Sequence, residues 1–366
     1  MRVDWCIDGA VDIINRVAQC SDQLQRWGRR KRMRFKRDIT HCSREMEVYR
    51  GSRDPVGIER FQKAQEQHAK LLVQEEDFWR QRAKMHWLKD GDLNTKFFHL
   101  SASSRHKLKR IEKLLNEQDI MVSNQVDLCG VAKRYFDKLF QAKGGAHDQV
   151  LHLIQQKITD EDNDFLLQSI TKEELHTTLF QMHPDKSPGS YGFNPAFYQR
   201  FWEICGDDVF EAAKCWLHRG YFPATLNDTN ICLILKCDNV VSMTDLRPIS
   251  LCNVLYKIIS KALAKRLKQC LSKCISEEQS AFVEGRSIID NVIVASEIIH
   301  AMKRRTRGRK GDLPLKIDIS KPYDKVDWGF LQGMVLQLSF DEKCVNWIMM
   351  CVSSVNYSVL VNFDRV

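Results

Sequence analysis

Residues 11–110 contain a single proline, Pro55, and are rich in charged side chains. Apolar positions such as Leu71 and Phe78 recur at helical spacing. Because proline inside a helix removes a backbone hydrogen bond and clashes with the preceding turn, its scarcity favours long helices. Residues 50–57, RGSRDPVG, contain several turn formers and interrupt the helical pattern. The sequence therefore predicts an N-terminal region of long helices with a break at this point.

The remainder of the chain combines helical and strand patterns. Residues 141–146 are typical of a linker, and Thr171 has the pattern of a residue that caps a helix start. Apolar runs bounded by polar residues indicate buried strands. The predicted helices are residues 97–115, 127–140, 195–202, 254–270 and 290–302, and the predicted strands are residues 230–235 and 313–320.

Composition narrows the class of protein. The 366 residues are 43% hydrophobic and 28% charged, and no apolar run approaches the roughly 20 residues of a membrane span. The N-terminus carries Asp4 early and has no sustained apolar core, which excludes a typical secretory signal. We therefore expect an intracellular protein, nuclear or cytoplasmic and not secreted, with no membrane partner. Thirteen cysteines without a C-x-x-C pair predict reduced, buried thiols and no zinc site.

The net charge of +9 is concentrated in two blocks without acids, residues 26–37 and 303–310. Clustered cations with interleaved aromatic residues suit contacts with phosphates. The alternatives are a solvated helix face or a nuclear-import-like tract. The candidate nucleic-acid-binding residues are Arg29, Arg30, Lys31, Arg32, Arg304, Arg305 and Arg307.

Within the predicted strand at residues 313–320, alternation places apolar Leu315 and Ile317 on a core face and Asp318 on the opposite face. A carboxylate just before a strand-to-helix turn can hold Mg²⁺. Exposed strand aspartates are also common without a metal. Asp324 and Asp327, which follow in the turn, are suited to capping the next helix.

Six ordered segments resemble the conserved motifs of reverse transcriptases from LINE-type non-LTR retrotransposons, especially the plant-like kind. They are HWLKDGDLNTKFFH at 86–99, HPDKSPGSYGFNPAFY at 183–198, DLRPISLCNVLYKIISKALAKRL at 245–267, EEQSAFVEGRSIIDNVIVASE at 277–297, LKIDISKPYDKVDW at 315–328 and CVSSVNYSVLVN at 351–362.

The resemblance implies an α+β fold: a basic helical region (1–145) followed by the fingers and first palm segment of a right-hand polymerase (146–366), incomplete. It implies a fragment of an RNA-directed DNA polymerase, with RNA template, DNA primer and dNTP as partners. The alternatives are a non-catalytic nucleic-acid-binding protein derived from such an enzyme, and an all-helical scaffold. The scaffold explains the first 110 residues but leaves the ordered motifs unexplained.

The resemblance also assigns roles to single residues. Asp318 matches the first Mg²⁺-binding catalytic carboxylate, and Tyr323 matches the steric gate against a ribose 2′-hydroxyl or, alternatively, is a core residue. Arg247 matches a residue that contacts the incoming triphosphate, where a guanidinium can pair with phosphate oxygens. Lys236 is a weaker candidate for that contact. A further pair, Arg286 and Asn291, lies in a motif used near template and primer, where a structural role is equally possible.

The sequence also departs from the family pattern. It contains neither a QGDPLSP-like segment nor an alanine-Asp-Asp string, so we expect an incomplete catalytic site and an inactive chain. Pro322 replaces a usual alanine and removes a backbone N–H at the bend that holds the triphosphate in related polymerases. Further replacements occur at Ser190–Tyr191, Leu235 and Glu284.

Overall fold

The structure is a computed structural model. It describes residues 13–83, 95–108, 110–142, 144–145, 147–281, 283, 285–304, 313–317 and 323–366. The helices are α1 (Ile13–Tyr49), α2 (Pro55–Ala83), α3 (Thr95–Leu108), α4 (Gln125–Phe140), α5 (Asp148–Leu151), α6 (Asp160–Leu166), α7 (Lys172–Phe180), α8 (Pro195–Arg200), α9 (Trp202–Arg219), α10 (Val254–Cys274), α11 (Ile288–Arg304), α12 (Trp328–Gln337) and α13 (Glu342–Ser353). The strands are β1 (Leu114–Leu115), β2 (Met121–Val122), β3 (Asp228–Leu235), β4 (Leu246–Leu251), β5 (Asn356–Val361) and β6 (Asp364–Arg365).

The chain divides into two compact units. The first comprises residues 1–131, 233–249 and 360–364, and the second comprises residues 132–232, 250–359 and 365–366. Both units are assembled from segments that are distant in sequence. The division at residue 145 between a basic region and a polymerase region concerns function, and it remains a prediction.

The first unit contains the predicted long helices α1 and α2, and the predicted break between them is confirmed. Gly51 adopts a positive φ of 82° in the connection, a conformation that glycine adopts readily. Asp54 caps α2, because its carboxylate accepts the backbone N–H of Gly57 at 2.7 Å and the hydroxyl of Ser52 at 2.6 Å. These hydrogen bonds lower the pKa of Asp54, with the Ser52 contact contributing most. Local sequence thus defines where the first helix ends and the second begins.

The main sheet has the strand order β4-β3-β5-β6. Its strand β3 confirms the predicted strand at residues 230–235, and alternate residues such as Ile231 and Leu233 are buried. Strands β5 and β6 are joined by Asn362 and Phe363, which have φ values of 51° and 80°. Positive φ at both central residues is typical of the tight turns whose twist matches a hairpin. Sequence patterns alone did not predict β4, β5 or β6.

The second unit has a core in which the side chains of α6, α10, α12 and α13 meet. Its buried members are Ile158, Leu166, Cys270, Val335, Phe340, Cys344 and Val345. The predicted helix start at Thr171 is confirmed, because its side-chain oxygen accepts the backbone N–H of Glu174 at 3.1 Å. The core itself combines α6, which precedes β3 in sequence, with α10, α12 and α13, which follow it.

Two predictions about local structure were wrong. Residues 313–317 are not a strand, and Leu313, Leu315 and Ile317 are 87%, 79% and 76% exposed. Alternating apolar residues form a strand only where a partner supplies hydrogen bonds and a core face, and these described residues lack both. The helix predicted over residues 97–115 ends at Leu108 in α3, and the segment's last residues pair with β2.

Within the described residues, no helix is both long enough and apolar enough to cross a bilayer.

Candidate nucleotide and nucleic-acid sites

Arg247 lies on β4, and Lys236 lies just after the neighbouring strand β3, both in the first unit. Arg247 is exposed on β4, between buried Leu246 and half-buried Pro248. Lys236 directly follows β3, and its backbone N–H donates to the Asp245 carbonyl at 2.9 Å. Both side chains are accessible, as a contact with a triphosphate requires. The structure thus brings together two candidates that are 11 positions apart in sequence.

Hydrogen bonds within the β3–β4 loop distinguish the two cations. The Lys236 ammonium donates to the Thr244 carbonyl at 2.5 Å. Asp245 accepts the backbone N–H groups of Ser242 and Val241 at 2.9 and 3.1 Å. The Ser242 and Val241 hydrogen bonds, together with nearby Lys236, lower the pKa of Asp245. Lys236 therefore helps to hold its own loop, whereas the exposed Arg247 is the better candidate for a ligand contact.

Tyr323 lies in a short 3-10 turn, Tyr323–Lys325, that precedes α12. Its side chain is 70% exposed, which contradicts the alternative role as a core residue. Asp327 caps α12 by accepting the Phe330 backbone N–H at 2.9 Å, and it lies 3.4 Å from His147. The capping prediction is confirmed for Asp327. The catalytic candidate Asp318 lies outside the described residues, as does Pro322.

Asn253 joins two of the quoted motifs, and sequence reasoning missed it. Only 3% exposed, it donates from its side-chain amide to the Leu226 carbonyl at 2.8 Å and accepts the Ser190 hydroxyl at 3.1 Å. Gly189 packs against it so closely that a Cβ atom would lie 2.6 Å from the Asn253 backbone nitrogen. Because this neighbour is backbone, it cannot move aside easily. The available sequence signal was an asparagine within the largely apolar stretch 249–256, because a polar side chain in such a stretch needs hydrogen-bond partners when it is buried.

Arg286 and Asn291 have structural contacts. The Arg286 guanidinium donates to the carbonyls of Ser276 and Gln279 at 2.5 and 2.7 Å. Asn291 donates to the Glu278 carbonyl at 3.0 Å and accepts a hydrogen bond from Ser280. These bonds connect the start of α11 to the preceding loop. Of the two roles left open by the sequence, the structural one accounts for these contacts.

The first basic block lies within α1, where Arg29 and Arg30 are exposed. Lys31 is half-buried and donates to the Gln74 side chain of α2 at 2.8 Å. In the second block Arg304 is exposed at the end of α11. The side chain of Arg32 and the whole of Arg305 and Arg307 lie outside the description. The assignment of these residues to nucleic-acid binding remains a prediction.

Most described cysteines are buried or half-buried, as predicted, whereas Cys237 is exposed. Burial raises the pKa of Cys205 and Cys351 to about 12, so these thiols stay protonated. One group of metal-ligating types occurs on α1, where ligand atoms of His41, Cys42 and Glu45 lie within 4.8 Å of one another. Burial, followed by nearby carboxylates, raises the pKa of Cys42 and disfavours the thiolate that a metal requires.

Comparison with known proteins identifies the class of the C-terminal part. Residues 234–364 match the sequence model of the family "Reverse transcriptase (RNA-dependent DNA polymerase)". This match includes Lys236, Arg247, Asp318 and Tyr323.

A longer similarity extends to the transposon TX1 uncharacterized 149 kDa protein of Xenopus laevis, with 27% identity over 285 residues. The alignment covers 77% of this chain and 22% of the relative, so the chain spans about a fifth of that protein. Together the two comparisons confirm the recognition of a non-LTR retrotransposon reverse transcriptase. Residues 234–364 are thus similar to reverse transcriptases, and the longer similarity is to a transposon protein.

Proposed function

We propose that this chain supplies the fingers and first palm segment of an RNA-directed DNA polymerase that uses an RNA template, a DNA primer and dNTPs. The observation that carries the proposal is the family match over residues 234–364, which includes every candidate nucleotide-binding residue. Arg247 would hold the triphosphate, because its guanidinium is exposed and can pair with two phosphate oxygens. Tyr323 would restrict the ribose 2′ position, and Lys236 would position the loop beside Arg247.

Reverse transcriptases generally use divalent metal ions, and we propose Mg²⁺ held by Asp318. A carboxylate oxygen is the donor type that Mg²⁺ prefers, so the residue fits by its chemistry. Of the described acids that follow it, Asp327 is already committed to capping α12. When bound, the ion would offset negative charge on the phosphates. Asp318 itself would contribute its negative charge and oxygen donors.

Nucleotide binding tests the role of Arg247. A fluorescent dATP analogue, titrated in the presence of Mg²⁺, should bind Arg247→Ala about 10-fold to 100-fold more weakly, because a hydrogen bond to a charged group contributes roughly 1.5–3 kcal/mol. Lys236→Ala should have a smaller effect. Arg134→Ala, which removes an exposed arginine on α4, is the matched control. Equal affinities for Arg247→Ala and the control would contradict the proposal.

Primer extension tests the catalytic prediction. With an RNA template, DNA primer, Mg²⁺ and dNTPs, this chain alone should make no detectable product, because its sequence supplies Asp318 without the alanine-Asp-Asp element. Robust synthesis that is lost in Asp318→Asn would refute the expected inactivity while supporting the metal role.

A second candidate function is non-catalytic nucleic-acid binding, favoured by exposed Arg29 and Arg30 on α1. Such binding should weaken steeply with salt, because displaced counterions drive it. Charge removal at these positions should lower affinity in filter binding, and an unchanged affinity would count against this function. A nuclear or cytoplasmic location is part of both proposals.

A further inference from the structure

Three lysines of α10 form a stripe along one side of the helix. Lys257, Lys261 and Lys265 are spaced four residues apart and are half-buried. Residues at this spacing lie above one another on a helix surface. Lys186, from the loop before α8, is exposed and contributes positive charge to the same place, as its electrostatic effect on Lys257 and Lys261 indicates. We call these four side chains the lysine stripe.

The stripe differs in its partners from Arg266 and Lys273, two further cations of α10. Arg266 pairs with Glu174 at 2.7 Å, and Lys273 pairs with Asp162 at 2.7 Å. In the stripe, by contrast, Lys257 donates to the Ser187 carbonyl and Lys265 donates to the Thr178 hydroxyl, each at 3.1 Å. These acceptors are neutral, so the two hydrogen bonds do not offset the positive charge of the lysines.

Repulsion between the lysines is a physical sign of that concentrated charge. Burial lowers the pKa of Lys261 most, and Lys265, Lys186 and Lys268 lower it further. Among the described groups that shift the pKa of Lys257 or Lys261, none is a carboxylate, so a bound polyanion would relieve the repulsion.

The loop that carries Lys186 is fixed relative to α10. Gly189 lies against the backbone of Asn253, and Ser190 donates to the Asn253 side chain. Lys257 adds its bond to Ser187. The charged groups are therefore held in place before any ligand arrives, which reduces the entropy cost of binding.

We propose that the lysine stripe binds the phosphodiester backbone of one nucleic-acid strand. The identity of the polyanion rests on the proposed function, whereas the site itself rests on the geometry of α10. Lys257 and Lys265 are separated by about 12 Å along the helix at 1.5 Å per residue, so the stripe can contact several consecutive phosphates of one strand. Exposed Ala264 lies on α10 beside Lys265 and leaves room for the strand.

The test is fluorescence anisotropy with a labelled single-stranded RNA of 20 nucleotides, measured over a salt series. Each phosphate contact on a single strand contributes about 0.7 to the slope of log affinity against log salt. Lys261→Gln should therefore reduce the slope by about 0.7 and the affinity by about fivefold at 0.1 M salt. The control Lys133→Gln removes an exposed lysine paired with Asp137 at 3.2 Å and should change neither.

A second pair of variants protects the test against misfolding. Ala264→Glu adds an acid beside the stripe and should weaken RNA binding more than Ala264→Gln, although both change the same exposed position. Circular dichroism establishes that each variant retains its helices. Equal binding by Lys261→Gln and Lys133→Gln, or by the two Ala264 variants, would overturn the proposal.

Parallel titrations identify the ligand. If a DNA strand of the same sequence binds equally well and Lys261→Gln weakens it equally, the site recognises the phosphodiester backbone that RNA and DNA share. Tighter binding of RNA supports an RNA template strand as the ligand. Equal, Lys261-dependent binding of polyglutamate would overturn a nucleic-acid site. These measurements do not involve Arg247. If Lys261→Gln leaves RNA binding unchanged while Arg247→Ala still weakens nucleotide binding, this inference is refuted and the proposed function is not.

Discussion

Replacing Arg266 by lysine perturbs a side chain of the second unit that donates five described hydrogen bonds. The guanidinium of Arg266, only 9% exposed, donates to both carboxylate oxygens of Glu174 at 2.8 and 2.7 Å. It also donates to the carbonyls of Leu166 at 3.1 Å, Ser169 at 3.2 Å and Gln168. These carbonyls lie at the C-terminal end of α6 and just beyond it, where helical acceptors lack intrahelical partners. A single side chain thus joins α10 to α6 and α7.

The expected cost follows from the number of donors. Arginine has five N–H donors in a planar fork, whereas lysine has three on a single nitrogen. Lysine therefore leaves at least two acceptors without a partner, and each buried unpaired group costs about 1–3 kcal/mol. Because the Glu174 side chain is partly exposed and keeps some hydration, we expect Arg266→Lys to lower the free energy of unfolding by about 2–4 kcal/mol, less than the full sum for buried groups.

Urea unfolding followed by circular dichroism measures this change. At a slope of about 2 kcal/mol per molar urea, the midpoint should fall by roughly 1–2 M. Arg134→Lys makes the same substitution at an exposed position of α4 and should leave the midpoint unchanged. A loss below about 0.5 kcal/mol for Arg266→Lys would refute the inference that the planar fork stabilises this junction.

Two further outcomes follow from local geometry. Gly189→Ala should lower the free energy of unfolding by about 1–3 kcal/mol and lower the melting temperature, because its Cβ would collide with the Asn253 backbone. The control Gly28→Ala adds a Cβ in open space and should not lower the melting temperature. Equal melting temperatures for the two variants would contradict this explanation. The Lys273 amine and then the Thr159 backbone N–H lower the pKa of Asp162 from 3.8 to about 2. Because the folded-state pKa is the lower one, this stabilisation is present above about pH 4 and is lost as the pH falls through 2. The difference in urea midpoint between wild type and Asp162→Asn should therefore vanish near pH 2, and a constant difference from pH 6 to 2 would contradict it.

The sequence alone determined features that depend on short-range patterns. Helical periodicity and scarce proline predicted α1 and α2, the apolar run predicted β3, and Thr171 marked the start of α7. The ordered motifs indicated a reverse transcriptase, and residues 234–364 match the sequence model of that family. Such features are readable because neighbouring residues carry the information.

The tertiary structure determined which distant residues meet. No local pattern distinguishes Arg266, which pairs with Glu174 92 positions away, from Lys261, which lies among other lysines on the same helix. Nor did a pattern reveal that Asn253 and Gly189 fix two motifs against each other. Alternation even predicted a strand at residues 313–320, whereas the described residues 313–317 form none. Hydrogen-bond partners, burial and charge environment depend on long-range packing, and only the folded chain supplies them.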